Sequence, residues 1–253
     1  MKRKLVAALA CRNQGSRLYG KPLQNINVED GVRIIDQIIA NLRSISCIDE
    51  IVLGIAEGVE NEVFIRIANE YGLKYIIGDG IDVLGRLISC GKIAGATDIF
   101  RVTTESPYLF FEPVLESWIE HISANADATF MDDVIDGCGF QILSMNALET
   151  SHGKGSEKHR SEFCSLYIRE NLNDFKIIRK FPPDSLNRRD IRLTVDNPED
   201  LVLCRVVYGI FKDKAPSIPI KEIVQFLDKN PLLIELCSKY TDVGYSTMYV
   251  WGK

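Results

Sequence analysis

Over its first half the chain alternates continuous apolar runs with segments whose apolar residues recur at helical spacing, and the connections between them are short. Residues 4–10 (KLVAALA) read as a buried strand, 31–45 as a helix and 48–56 (IDEIVLGIA) as a second buried strand. An amphipathic helix over 60–72, closed by Gly72, leads to a third strand in LKYIIGD. A helix over 81–95, a fourth strand over 97–105 and a helix over 112–125 continue the rhythm. Strand–helix alternation of this kind demands a mainly parallel sheet covered on both faces, an α/β Rossmann-like three-layer fold. In such sheets a ligand crevice lies beyond the carboxyl ends of the strands. Three polar segments fall there: RNQGSRLYGK after the first strand, AEG after the second and TTESP after the fourth.

The rhythm breaks over 126–190. DATFMDD, GCGFQILS and DFKIIRKF are short strand-like pieces, with a loop and helix between them. Each offers too little apolar surface for an independent core. The segment is therefore expected to be a small inserted or extended lobe within a single domain spanning 1–253. RLTVDNPEDLVLCRVVYGIF, residues 192–211, returns to strand, turn and helix, with Pro198 in the first helical turn. Helical segments at 219–228 and 231–239 precede a polar tail, whose Tyr249 and Trp251 are candidates to fold back onto the core or to cover a partner.

Composition narrows the class. The net charge is −5, against the basic surplus of a protein that grips nucleic acid broadly. The seven cysteines form no C-x-x-C pair, so reduced and mostly buried thiols in a cytoplasmic protein are expected. No apolar window has the length of a membrane span, so no membrane insertion is expected.

Against this mildly acidic background the first strand ends in LACRNQGSRLYGK, which carries Arg12, Arg17 and Lys21 and no acid. Gly15 and Gly20 permit a tight turn with exposed amides, a concavity that favours an anion. Arginine grips phosphate oxygens with two donors, and lysine adds a mobile point charge. The glycine spacing is neither G-x-G-x-x-G nor G-x-x-x-x-G-K-S/T, so this is neither a dinucleotide fingerprint nor a Walker A loop. A solvated basic turn is the plain alternative.

The pattern R-x-x-G-S-x-R-L-x-G-K-P resembles the N-terminal signature of the cytidylyltransferase superfamily, which activates 3-deoxy-manno-octulosonate and sialic acid-like sugars as CMP conjugates. Its nearest branch is the spore coat polysaccharide biosynthesis protein F type. Tyr19 stands where that branch carries proline. RVTTESPYL is similar to a family segment R-I-T-x-D-x-P, with Glu105 in place of the aspartate. DGCGFQILS resembles an acceptor-side strand but lacks its acids, and LTVDNPEDLVLCRVVY matches L-T-V-D-x-P-E-D-L closely. The likeness covers most of residues 4–211.

The resemblance implies a nucleotidyltransferase fold, CTP as co-substrate and magnesium as cofactor. It implies that Arg12 and Lys21 bind the triphosphate, supported by Ala10, Gly15, Ser16 and Arg17. Asp196 and Glu105 would hold the metal, and Arg12, Lys21 and Asp196 would carry catalysis. Read by spacing alone, Asp196 is equally a helix cap and Glu105 a turn carboxylate. Arg101, Gln141, His159, Arg188 and Arg189 are the candidates for binding an acidic sugar. His159 could instead lie at the surface, Arg188 and Arg189 could hold phosphates or Asp190, and His121 belongs to the structure of its helix or to the surface. Family members pair as homodimers through the middle lobe. Three alternatives stay open: a phosphorylated acceptor, a glycosyltransferase acting on a nucleotide sugar, which the missing D-x-D tripeptide disfavours, and a nucleotide-binding protein without catalysis.

Overall fold

Strand β1 (Leu5–Cys11) is buried on both faces, and its alternation builds two cores at once. Leu5, Ala7, Leu9 and Cys11 enter one apolar layer, while Val6 and Ala8 enter the other. The computed structural model describes residues 3–241 and Trp251. After β1 come a small antiparallel pair, β2 (Asn25–Asn27) and β3 (Val32–Arg33), then α1 (Ile34–Ser44), β4 (Glu50–Ala56), α2 (Glu62–Tyr71), β5 (Lys74–Gly78), α3 (Val83–Ala94), β6 (Asp98–Arg101) and α4 (Val114–Ser123). The second half adds β7 (Ala128–Met131), β8 (Phe140–Ser144), α5 (Met145–Lys154), α6 (Glu157–Arg160), α7 (Leu166–Glu170), β9 (Ile177–Arg179), α8 (Pro198–Phe211), α9 (Ile220–Asp228) and α10 (Pro231–Cys237).

The main sheet runs β5-β4-β1-β6-β8-β7-β9. Its first four strands are parallel and β8 is antiparallel to both neighbours, while β9 pairs parallel with β7. The connection from β1 leaves toward β4, and the chain later returns to β6 on the other side of β1. That reversal splays the loops apart and opens a crevice at the carboxyl ends of β1 and β6. Helices α1, α2, α4, α8 and α9 cover one face, and α3, α5 and α7 the other. The expected three-layer α/β architecture is what the chain adopts.

The differences from expectation have local causes. The fourth strand stops at Arg101 rather than continuing to 105. Beyond it the Thr104 hydroxyl donates to the Ala10 carbonyl and the Glu105 carbonyl accepts from the Val195 amide, so the chain turns across the strand ends. RLTV forms no strand: it bends at Thr194 and pairs only through one bridge, Arg192 with Asp136, because the Glu105 and Asp136 carbonyls that accept from its amides belong to different neighbours. The strands of segment 126–190, expected in an inserted or extended lobe of the one domain, continue the main sheet. His121 lies fully buried, between Asp98 and Thr129. Six cysteines are buried, Cys47 is half-buried, and all seven are free thiols. Trp251 packs edge-on against Phe130 with ring centroids 5.0 Å apart, while Tyr249 lies outside the described residues.

Gly137 shows how tightly the second half is set against the RLTV segment. Its φ is +92°, and a Cβ there would stand 2.7 Å from the Thr194 amide nitrogen and 2.8 Å from the Leu193 carbonyl carbon. A side chain must therefore push the two segments apart as well as adopt a strained backbone. Gly137→Ala is expected to lose about 2–3 kcal/mol in urea unfolding. A midpoint equal to the wild type would show that the packing of Asp136 against Arg192 is looser than described.

Candidate functional site

The crevice beyond β1 and β6 is a cleft of about 460 Å³. Its first wall is the loop after β1. Gly15 is required there by close backbone approach, since a Cβ would sit 2.3 Å from the Leu18 carbonyl oxygen. The Gly20 amide closes the loop onto the Asn13 carbonyl at 2.8 Å. Asn13 is buried and fixes the loop from below: its amide donates to Asn61 Oδ1 at 2.8 Å, and its side-chain amide donates to the Glu60 carbonyl. The polar segment after β4 thus supports this wall and does not itself line the cleft.

The second wall carries the carboxylates. The Glu105 carbonyl accepts from the Val195 amide at 3.0 Å, which brings Glu105 beside Asp196 although the two lie far apart in sequence. A chain of hydroxyls reinforces the contact, with Thr103 to Ser106 at 2.7 Å and Ser106 to Thr194 at 3.0 Å. Asp196 is not the helix cap. The start of α8 is capped by Asn197 and Asp200, whose Oδ2 accepts from the Asn197 amide at 2.8 Å and the Asp196 amide at 3.0 Å. The carboxylate of Asp196 instead faces three cations. Lys21 reaches Oδ1 at 2.5 Å, Arg17 reaches the same oxygen at 3.4 Å, and Arg192 holds Oδ2.

Arg192 is the buried anchor of this arrangement. It also pairs with Asp136 at 2.6 Å and with the fully buried Asp200 at 3.2 Å. Burial alone would raise the Asp196 carboxyl, but Lys21, Arg192 and Arg17 outweigh it and hold it below the usual range. Burial pushes the Glu105 carboxyl up; Lys21 opposes this and the neighbouring Asp196 charge adds to it. Among the described residues Glu105 makes no ion pair.

Ala10, Arg12, Gly15, Ser16, Arg17 and Lys21 line the cleft, as do Glu105 and Asp196. Arg101 and Gln141 are direct partners across β6 and β8 and line its far end. Arg101 donates there to the Glu162 carbonyl at 2.9 Å. The buried Gln141 Oε1 has no hydrogen-bond partner among the described residues. The other three acceptor-side candidates lie outside the cleft. His159 is buried outside the cleft, its Nδ1 accepting from the Ser156 amide at 2.8 Å and its Nε2 facing Glu170 at 2.9 Å. Arg188 pairs with Asp190 and Asp228, each at 2.7 Å, and neither Arg188 nor Arg189 lines the cleft.

Sequence reading missed Asn13, Arg86, Asp132, Asp136 and Arg192. Asp132 lines the cleft and pairs at 2.6 Å with the buried Arg169, against which Trp251 lies at 4.6 Å. A signal for Arg192 existed: it stands four residues before Asp196 and eight before Asp200, a cation among acids that the fold would bury.

Two carboxylates beside a phosphate-sized basic loop fit magnesium, which takes one or two carboxylates and completes its shell from phosphates and water. No three His, Cys, Asp or Glu side chains among the described residues converge into an all-protein cage. The donor set suits a metal carried with its phosphates.

No protein-family model matches the chain. It is 27% identical over 244 residues to an uncharacterized protein of Methanocaldococcus jannaschii, covering 96% of this chain and 98% of that one. It is 21% identical over 229 residues to the spore coat polysaccharide biosynthesis protein SpsF of Bacillus subtilis, covering 88% and 93%. Among solved structures, a cytidylyltransferase from Leptospira borgpetersenii superposes with a TM-score of 0.80 at 18% identity, covering 92% of this chain and 97% of that one. The chain thus carries the α/β nucleotidyltransferase fold of the cytidylyltransferases that its first loop and its LTVDNPED segment resemble.

Proposed function

We propose that the protein is a magnesium-dependent cytidylyltransferase that moves CMP from CTP to an acidic sugar, a nonulosonate or a 2-keto-3-deoxy sugar, with release of pyrophosphate, in surface glycan synthesis. The observation that carries this reading is the ion-pair arrangement at Asp196, where Lys21 and Arg17 sit on the carboxylate oxygen nearest the loop while Arg192 holds the other. Lys21 and Arg17 come from the basic loop and Asp196 from the opposite wall. An entering triphosphate competes for the two loop cations, and their transfer to phosphate frees one Asp196 oxygen beside Glu105. Arg192 stays behind and keeps Asp196 in place.

Asp196 and Glu105 would then hold magnesium against the phosphates. When bound, the metal lowers the pKa of the attacking hydroxyl and screens the phosphate charge. The acceptor oxygen forms a bond to the α-phosphorus while the bond to the oxygen bridging α and β breaks. Arg12, Arg17 and Lys21 stabilise the departing pyrophosphate. Arg101 at the end of β6 and Gln141 on the lobe 126–190 that extends the sheet take the acceptor, and a homodimer through that lobe fits the reading. Gly139 and Gln141 are neutral where the resembling proteins carry acids, which lessens repulsion of a dianion and favours, as a second reading, a phosphorylated sugar acceptor.

A pyrophosphate-release screen crossing four nucleoside triphosphates with acidic sugars and phosphorylated acceptors tests the proposal. Turnover is expected with CTP and one acceptor class, and silence across the whole grid with CTP and metal bound would leave only a nucleotide-binding protein. Lys21→Ala and Asp196→Asn should each lower kcat/KM by about 10²–10³-fold with the circular dichroism spectrum unchanged. Activity within twofold of wild type would remove that residue from the mechanism.

The raised Glu105 carboxyl gives a pH signature. A metal binds the deprotonated form, and burial favours the protonated one, so protons compete with the metal at this carboxyl. Affinity for a Mn²⁺ probe in the presence of CTP should rise with pH across a range above that of an ordinary glutamate. Glu105→Gln should bind weakly and flatten the dependence; a steep dependence surviving in that variant would assign the proton elsewhere.

A further inference from the structure

Arg86, on the first turns of α3, is 2% exposed and lines the cleft beside the basic loop. Its Nη1 donates to the Cys11 carbonyl at 3.1 Å and the Gly54 carbonyl at 2.9 Å, clipping the ends of β1 and β4 together. The fold makes room for it. A Cβ on Gly54 would stand 3.4 Å from Arg86 Cβ, and one on Gly78 would stand 3.0 Å from Arg86 Cγ.

What the fold does not supply is a counter-charge. Among the described residues no carboxylate pairs with Arg86, its buried Nε has no hydrogen-bond partner, and no bond engages Nη2. The exposed Asp79 feels its charge without forming an ion pair. The groups closest in charge to it are the thiols of Cys11, Cys90 and Cys164 and the guanidinium of Arg12, itself a cation. Buried arginines elsewhere in the molecule are matched differently: Arg192 has three aspartates, and Arg169 has Asp132. A strut that only clips two carbonyls needs one nitrogen of the guanidinium and none of its charge. An isolated buried charge is costly and is retained where something compensates it.

We propose that Arg86 is a phosphate-binding residue of the nucleotide half of the cleft, and that the bound triphosphate is its missing counter-ion. The proposal rests on the reading of the cleft as a nucleotide site. It places a second, buried arginine behind the exposed Arg12, so that the phosphate chain is held from the helix α3 as well as from the loop after β1. It also makes Arg86 a charge that burdens the empty protein and is relieved on binding.

Binding of CTP, inorganic tripolyphosphate and cytidine to Arg86→Gln, Arg86→Lys and the wild type, measured by calorimetry alongside thermal unfolding of each empty protein, tests this. Arg86→Gln retains an amide for one carbonyl and removes the charge. Its empty midpoint should equal or exceed the wild-type value, while CTP and tripolyphosphate bind at least about tenfold more weakly and cytidine binds unchanged. Arg86→Lys keeps the charge and should stay within about threefold of wild type for tripolyphosphate. Should Arg86→Gln fail to fold, the lysine variant decides: a loss beyond tenfold in a folded protein overturns the proposal. Wild-type tripolyphosphate affinity in Arg86→Gln also overturns it and makes Arg86 a strut, and an equal loss for cytidine moves the contact to the base. A wild type that binds neither CTP nor tripolyphosphate removes the nucleotide reading and this proposal together, whereas failure of the variants alone leaves that reading standing.

Discussion

The geometry of the cleft depends on one guanidinium. Arg192 binds Asp136 from the loop before β8, Asp196 from the cleft wall and Asp200 from the first turn of α8. Three separate pieces of backbone are thereby held to one point. Removing the arginine would leave three carboxylates facing one another, two of them nearly or fully buried, and a buried acid without its partner is far more expensive than the pair is favourable. Asp200 divides its oxygens between this cation and the amides that start the helix. The direction of α8 and the position of Asp196 are therefore set together. Asp196 keeps one oxygen on this fixed support and presents the other to Lys21 and Arg17, which belong to a different wall.

A second buried ionic cluster, at the opposite end of the sheet, shows what distinguishes a structural network from an exchangeable one. Asp98 begins β6 and takes Arg3 through a bond of 2.8 Å from Nε, together with His121 at 3.1 Å. His121 completes its ring contacts with Thr129 at 2.8 Å. Asp98, His121 and Thr129 have no exposure, and none of them lines the cleft. The Asp98 oxygens are shared among Arg3, His121 and Thr97, all from within the fold, so the cluster fixes the end of the sheet and can do little else. The Asp196 carboxylate is similarly surrounded by positive charge but opens on solvent, and two of its three cations ride on side chains that are themselves 20% and 47% exposed. Such partners can be traded for phosphate at small cost in buried charge.

The layers were legible in the sequence because β1 and β4 announce burial on both faces and the helices between them carry apolar stripes. The RLTV segment was misread as a strand for the same reason: Leu193 and Val195 record burial, and burial does not say whether neighbouring carbonyls form a ladder. At the site, Lys21 and Asp196 were legible through motifs 175 residues apart that the fold brings together. His159 and Arg188 lie away from the cleft with their polar groups engaged nearby, by Glu170 and Ser156 in one case and by Asp190 in the other, which spacing alone does not reveal. Arg86 and Asp136 escaped notice because an arginine on a helix and an aspartate in a loop look ordinary until burial is known.

The antiparallel strand β8 explains why one cleft has two chemically different halves. The parallel strands β4, β1 and β6 all deliver their carboxyl ends to the same edge, where the loop after β1 supplies the basic residues and amides that suit phosphates. β8 runs the other way and brings its amino end there, placing Gly139, Phe140 and Gln141 against the cleft. Such a strand contributes side chains from its own first residues rather than a flexible loop. Gln141 is thus set in register with Arg101 and packed between β6 and β7, where its shape and charge are fixed by the sheet. A Cβ at Gly139 would stand 2.3 Å from the Met131 carbonyl oxygen, so close packing against β7 keeps that position small and leaves Gln141 to present the strand's polar group to the cleft.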